Sequence, residues 1–132
     1  MIGLDTNVLV RYLTQDDPFQ SPLATDFIEQ QLSTNNLGII SHIVLIEVAW
    51  VLNRAYHYSR EQVAQALHAI LTCQEFQVET TELAILAWQD YMQGNADFSD
   101  YLLARTHQKL GAAYTITFDR KAALTPTFKL LK

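Results

Sequence analysis

The sequence predicts an α/β fold in which a parallel sheet is covered by helices on both faces. Two observations carry this expectation. Short apolar or β-branched runs alternate along the chain with segments of helical periodicity, the pattern that strand–helix–strand units leave in a sequence. The composition, 132 residues with 49% hydrophobic and 17% charged side chains, is that of a globular chain. A domain of this length buries about two-thirds of its unfolded surface. No repeat, low-complexity tract or long linker divides residues 1–132, which therefore read as a single domain.

Residues 2–4 form the first short strand. Residues 7–14 place Val8, Leu9, Tyr12 and Leu13 on one helical face, and Asp16-Asp17-Pro18 ends that helix. Ser21-Pro22 predicts the next start, an N-cap followed by proline at the first helical position, with the period running over 23–32. Residues 37–40 are a second strand, and Ser41 is placed to cap an apolar helix over 42–56. Ser59 and Gln62 make a capping box for a helix with Val63, Ala66, Leu67 and Ile70 inward. Residues 76–78 are a third strand candidate. Thr80 or Thr81 caps a helix through Tyr91 that Gly94-Asn95 stops, and another runs over 98–110 to Gly111. Residues 113–118 and 128–131 complete the strands.

The formal charge of -5, with pI about 5.2, argues against a broad basic surface for nucleic acid. It leaves room for a local acidic pocket whose effective charge rises by about two per bound divalent ion. No basic residue precedes the first apolar stretch, so no secretory signal is expected. The longest apolar run, 39–52, is broken by Ser41, His42 and Glu47 and falls short of the roughly 20 residues a membrane span needs. A single cysteine, Cys73, excludes an internal disulfide and fits a reducing cytoplasm. The expectation is a soluble cytoplasmic protein with no membrane contact.

Carboxylates stand where folding alone gives no reason for them. Asp5 ends the first apolar run, Glu47 interrupts an apolar helix, Asp97 and Asp100 open another, and Asp119 follows a strand. Asp5 alone reads equally well as an N-cap. Glu47 has Ile43, Val44, Trp50 and Val51 one helical turn away on either side, which predicts an apolar, inward face. A buried salt bridge is the structural alternative there. Asp97 and Asp100 are three apart and can point the same way, which is one acid more than capping requires. Asp119 alone could open a turn with Arg120. Ligands of parallel sheets bind beyond the carboxyl ends of the strands, where Asp5 and Asp119 fall. Together the acids point to a divalent cation and to metal-dependent hydrolysis, with phosphodiesters the leading substrate. His42, His57, His68, His107 and Cys73 lack zinc-ligand spacing, and no glycine-rich phosphate loop is present. An aspartyl-phosphate hydrolase wants a second Asp where Asn7 stands.

Ile2-Gly3-Leu4-Asp5-Thr6-Asn7-Val8-Leu9, the segment from Ser41 through Glu47 to Leu52, Ala96-Asp97-Phe98-Ser99-Asp100-Tyr101-Leu102-Leu103-Ala104, and Tyr114-Thr115-Ile116-Thr117-Phe118-Asp119 together resemble the PIN domain. Within it, the likeness is greatest to the VapC-type toxin ribonucleases of toxin–antitoxin pairs, and it runs over about 1–121. The resemblance implies a compact three-layer α/β/α sandwich with a central parallel sheet of four or five short strands. It implies a Mg²⁺- or Mn²⁺-dependent endoribonuclease with one or two ions held among Asp5, Glu47, Asp100 and Asp119. Asp97 is then auxiliary, and Thr6, Asn7 and Thr117 support the site. Arg11, Arg105, Arg120 and Lys121 are candidates for phosphate contact, with ordinary surface charge as the alternative. A homodimer and a small antitoxin, whose C-terminal tail crosses the active-site groove, are further implications. The helices beginning near Ser21 and His42 carry more apolar surface than a monomer needs, which accords with such partners. A non-catalytic member that uses the same fold to bind RNA or protein is the competing reading.

Overall fold

The structure, a computed structural model, describes every residue from Met1 to Lys132. The residues group into two compact units, Met1–Thr81 and Glu82–Lys132.

The first unit contains β1 (Ile2–Gly3), α1 (Thr6–Thr14), α2 (Gln20–Asp26), β2 (Gly38–Ile40), α3 (His42–Arg54), α4 (Arg60–Leu71) and β3 (Phe76–Val78). Helix α2 runs on into a π-helical turn, Phe27–Gln31. The three strands form a parallel ladder in the order β1-β2-β3, with Ile2 opposite Gly38 and Ile40 opposite Val78. Gly38 in β2 lets the sheet and its neighbours approach closely: a Cβ there would stand 2.9 Å from the Cδ1 atoms of both Leu4 and Leu32, whose ends would have to shift. Leu9, Ile40, Leu45, Val48, Leu52, Val63, Leu67 and Ile70 are all buried. The capping box of α4 forms as the sequence predicts: Gln62 N–H donates to Ser59 Oγ at 3.1 Å, and Ser59 N–H donates to Gln62 Oε1 at 2.9 Å. Ser41 likewise accepts from Val44 N–H at 3.2 Å to start α3.

The start of α2 differs from expectation. Asp17 Oδ1 accepts from the N–H groups of Phe19 at 2.9 Å and Gln20 at 2.6 Å, so Asp17 takes the capping role and the helix begins before Ser21. Ser21 turns inward instead and donates to the carbonyl of Arg11 at 2.8 Å. Pro22 falls at the third helical residue, where its missing N–H has no intrahelical partner to lose.

The second unit holds the body of α5 (Thr81–Gln93), then α6 (Phe98–Lys109), β4 (Thr115–Thr117), a 3₁₀ turn over Ala122–Leu124, and β5 (Phe128–Leu130). β4 and β5 are parallel, with Thr115 opposite Phe128. Tyr91 and Phe98 pack edge to face at 6.0 Å between ring centroids. Gly111, at φ 102°, supplies the left-handed residue that ends α6. β4 is shorter than predicted, because its ladder with β5 pairs only Thr115, Ile116 and Thr117. All five expected strands exist and all are parallel, which makes the chain α/β. No helix is long and apolar enough to cross a membrane.

Candidate active site

In the first unit the turn between β1 and α1 presents Asp5, Thr6 and Asn7. Asp5 caps α1 in extended conformation, its Oδ1 accepting from Thr6 N–H at 2.8 Å, and its carboxylate is exposed. Asn7 is exposed beside it. Thr6 is buried and its hydroxyl donates to Glu47 Oε1 at 3.1 Å, across 41 residues of sequence. That bond ties the first turn of α1 to the middle of α3. Glu47 itself corrects the sequence expectation, because it is exposed rather than inward. Helix α3 buries Leu45, Val48, Ala49 and Leu52, and its solvent side carries Ile43, Glu47 and Trp50, with Ile43 70% exposed. Arg54 lies over the Trp50 ring at 5.2 Å on that same side. Burial of a lone carboxylate therefore gives no support for a cation at Glu47. What distinguishes this side chain is its link to Thr6. Arg11 is engaged locally: it donates to Gln20 Oε1 at 2.9 Å, to Tyr56 Oη at 2.9 Å and to Asp16 at 3.2 Å.

In the second unit Asp97 caps α6 and Asp100 occupies its first turn, with Asp97 N–H donating to Asp100 Oδ2 at 3.2 Å. Asp100 is half-buried, and burial pushes its carboxyl above the ordinary carboxylate value. The Asp97 N–H opposes that rise, and the negative charges of Asp119 and Asp97 add to it. Asp119, at the end of β4, accepts from the N–H groups of Lys121 at 2.8 Å and Ala122 at 3.2 Å, opening the 3₁₀ turn as a cap. Thr117 Oγ1 accepts from Asp119 N–H at 3.0 Å. Arg105 is held by Asp90 in a two-pronged pair at 2.8 and 2.9 Å, so its guanidinium serves α5 and α6. Arg120 and Lys121 are exposed next to Asp119.

Arg11 pairs with Asp16 and Arg105 with Asp90, and neither pair involves Asp5, Glu47, Asp100 or Asp119. No three His, Cys, Asp or Glu side chains stand close enough together to hold a metal ion. The donors available are all carboxylate oxygens, which suit hard cations of the Mg²⁺ and Mn²⁺ type and not zinc. One feature beside these acids escapes a reading of the sequence. Gly94-Asn95 looks like a helix stop and nothing more, yet it forms part of the wall of a cavity that also reaches Lys121.

The family model of the PIN domain matches residues 2–126, which reach across both compact units, and the chain belongs to that family. It is also similar to a protein named VapC ribonuclease from Aquifex aeolicus (strain VF5), with 25% identity over 118 residues, covering 89% of this chain and 87% of that protein. No solved structure matches the chain significantly.

Proposed function

We propose that this chain is a divalent-metal-dependent endoribonuclease, the toxin of a type II toxin–antitoxin pair, working as one domain in the cytoplasm. The observation that carries the reading is the state of Asp100. It is half-buried, faces the like charges of Asp119 and Asp97, and takes part in neither of those ion pairs. A bound divalent cation removes that repulsion. Membership of the PIN family and the likeness to a protein named ribonuclease support the same chemistry.

In this reading Asp5, the N-cap of α1, and Asp100, in the first turn of α6, would be direct ligands of Mg²⁺ or Mn²⁺. Glu47 and Asp119 would be further ligands or would orient metal-bound water, and Asp97 would assist. When bound, the metal would supply charge neutralisation at the phosphate and a more acidic water. The rest is done by this chain's own side chains. Thr6 fixes the orientation of Glu47 through its hydroxyl, and Thr117 anchors the backbone of Asp119. Asn7 lines the approach. Arg120 and Lys121 contact the RNA backbone, the guanidinium groups of Arg11 and Arg105 being engaged within the protein. Phe19 and Leu23 near the start of α2, and Ile43 and Trp50 on α3, are exposed apolar residues. They offer faces for a second copy of the chain and for a small antitoxin.

The test is cleavage of labelled oligoribonucleotides by the purified chain with Mg²⁺, with Mn²⁺ and with EDTA, alongside metal-binding calorimetry. Metal-dependent cleavage that Asp5→Asn and Asp100→Asn abolish supports the reading. Metal binding with no cleavage of any RNA replaces it by a non-catalytic PIN module with a structural ion.

A further inference from the structure

We propose that a cavity in the second unit holds a single nucleotide of the RNA, with the base read by side-chain amides and the phosphate held by Lys121. RNA as the source of that nucleotide rests on the ribonuclease reading above; the cavity itself does not. Its volume is about 350 Å³. That is the small end of the ligand-pocket range of roughly 300–1,000 Å³, room for one nucleotide and not for a folded partner.

The lining specifies the chemistry. Gln93 and Asn95, flanking Gly94 where α5 ends, contribute two carboxamides. A carboxamide pairs a donor with an acceptor, the combination that matches the edge of a nucleobase. Leu124 and Pro126 add apolar surface from the segment that follows the 3₁₀ turn. Base faces cover such surface favourably. Charge supplies the third element. Asp90 also lines the cavity, but Arg105 holds it in a two-pronged pair, which leaves Lys121 as the cation of the lining that can meet a phosphate. A free phosphate would leave the apolar wall and both amides unused, and an apolar ligand would leave the ammonium and amides unmatched. An anion attached to a flat hydrogen-bonding ring uses all three.

The sequence connects this cavity to the acids. Lys121 is two residues beyond Asp119, and its N–H donates to that carboxylate at 2.8 Å. Asn95 is two residues before Asp97. A nucleotide seated here has its phosphate one short step of chain from Asp119. The cavity therefore fixes which base lies beside the scissile bond.

The experiment titrates AMP, GMP, CMP and UMP, and inorganic phosphate separately, into the ¹⁵N-labelled full chain. The amides of residues 93–95 and 125 are followed by NMR. At least one nucleotide is expected to move them saturably, and Asn95→Leu is expected to weaken that binding about tenfold, the scale of one lost bidentate contact. Gln93→Leu, at an exposed position, is the second variant if the first misfolds. No response at these amides, a response that both variants leave unchanged, or the same response to phosphate alone overturns the proposal. Cleavage assays on the wild type answer a separate question. If the nucleotide binds and no RNA is cut, the ribonuclease reading fails and the nucleotide site stands. If RNA is cut and no nucleotide binds, the reverse holds.

Discussion

Gly94→Ala is a one-carbon change whose cost can be worked from the structure. A Cβ at this position would run into the hydroxyl of Tyr101, and would stand 2.8 Å from Tyr101 Cζ and 3.3 Å from the Asp90 carbonyl. Tyr101 cannot swing aside, because it is only 1% exposed and its hydroxyl accepts from Ala96 N–H at 3.1 Å. Overpacking a filled interior costs about 1–3 kcal/mol. Loss of the bond to Ala96 adds about 0.5–1.5 kcal/mol. The stiffer unfolded chain offsets about 0.4–1 kcal/mol. The expected outcome is a loss of about 2–3 kcal/mol. Urea titration followed by far-UV circular dichroism reads it as a lower midpoint at unchanged slope. Tyr101→Phe identifies the clashing atom, since it removes the hydroxyl and leaves the ring. In the double variant the two losses should fall short of additivity by about 1 kcal/mol or more. Full additivity, or a Gly94→Ala protein as stable as the wild type, would refute the account of why glycine stands here.

Asp100→Asn should lower Mg²⁺-dependent RNA cleavage at least about a hundredfold and leave the circular dichroism spectrum unchanged. The same variant should be at least as stable as the wild type without metal, since it removes a charge that burial, Asp119 and Asp97 all disfavour; Mg²⁺ should raise the melting temperature of the wild type only. Thr6→Val should cut cleavage about tenfold through kcat rather than KM, because Glu47 loses the hydroxyl that orients it. An unchanged kcat would remove Thr6 from the site. The pH dependence concerns Asp16 and Asp17, both held below the ordinary carboxylate value. The Thr14 hydroxyl is the main cause at Asp16, and the N–H groups of Gln20 and then Phe19 at Asp17. A lowered folded pKa means that the unfolded chain binds the proton first, so this stability is present above about pH 4 and is lost as pH falls through the folded values. Asp17→Asn should lower the urea midpoint at pH 7 and flatten its fall toward pH 3. A curve parallel to the wild type would assign the acid sensitivity to other groups.

Local chemistry made the helices legible. Ser41, Ser59 and Gln62 cap as their spacing predicts, since such bonds need only residues within one turn of each other. The start of α2 differs because Ser21-Pro22 has the local pattern of an N-cap, while the acceptor is supplied by Asp17, which the sequence assigns to the break before the helix. Only the structure shows that Ser21 is drawn inward to the Arg11 carbonyl. At the candidate site, the identities of the acids could be read, and their surroundings could not. Helix α3 is apolar on nearly every side, so its sequence does not say which side faces inward. Ile43 and Trp50 suggested a buried Glu47, and the helix is turned the other way. Arg11 shows the same limit. Its partners Gln20 and Tyr56 lie 9 and 45 residues away, beyond any local spacing rule.

The π-helical turn at Phe27–Gln31 bears on how relatives are compared. A turn of this width takes in one residue more than an α-turn, and here Ile28 within it and Leu32 just after it are both buried. It can thus absorb a change of chain length by one residue without shifting β2. A family member shorter by a single residue in this stretch should be aligned with its gap inside the turn, because a gap in the loop that follows would put the wrong residue at the position of Leu32.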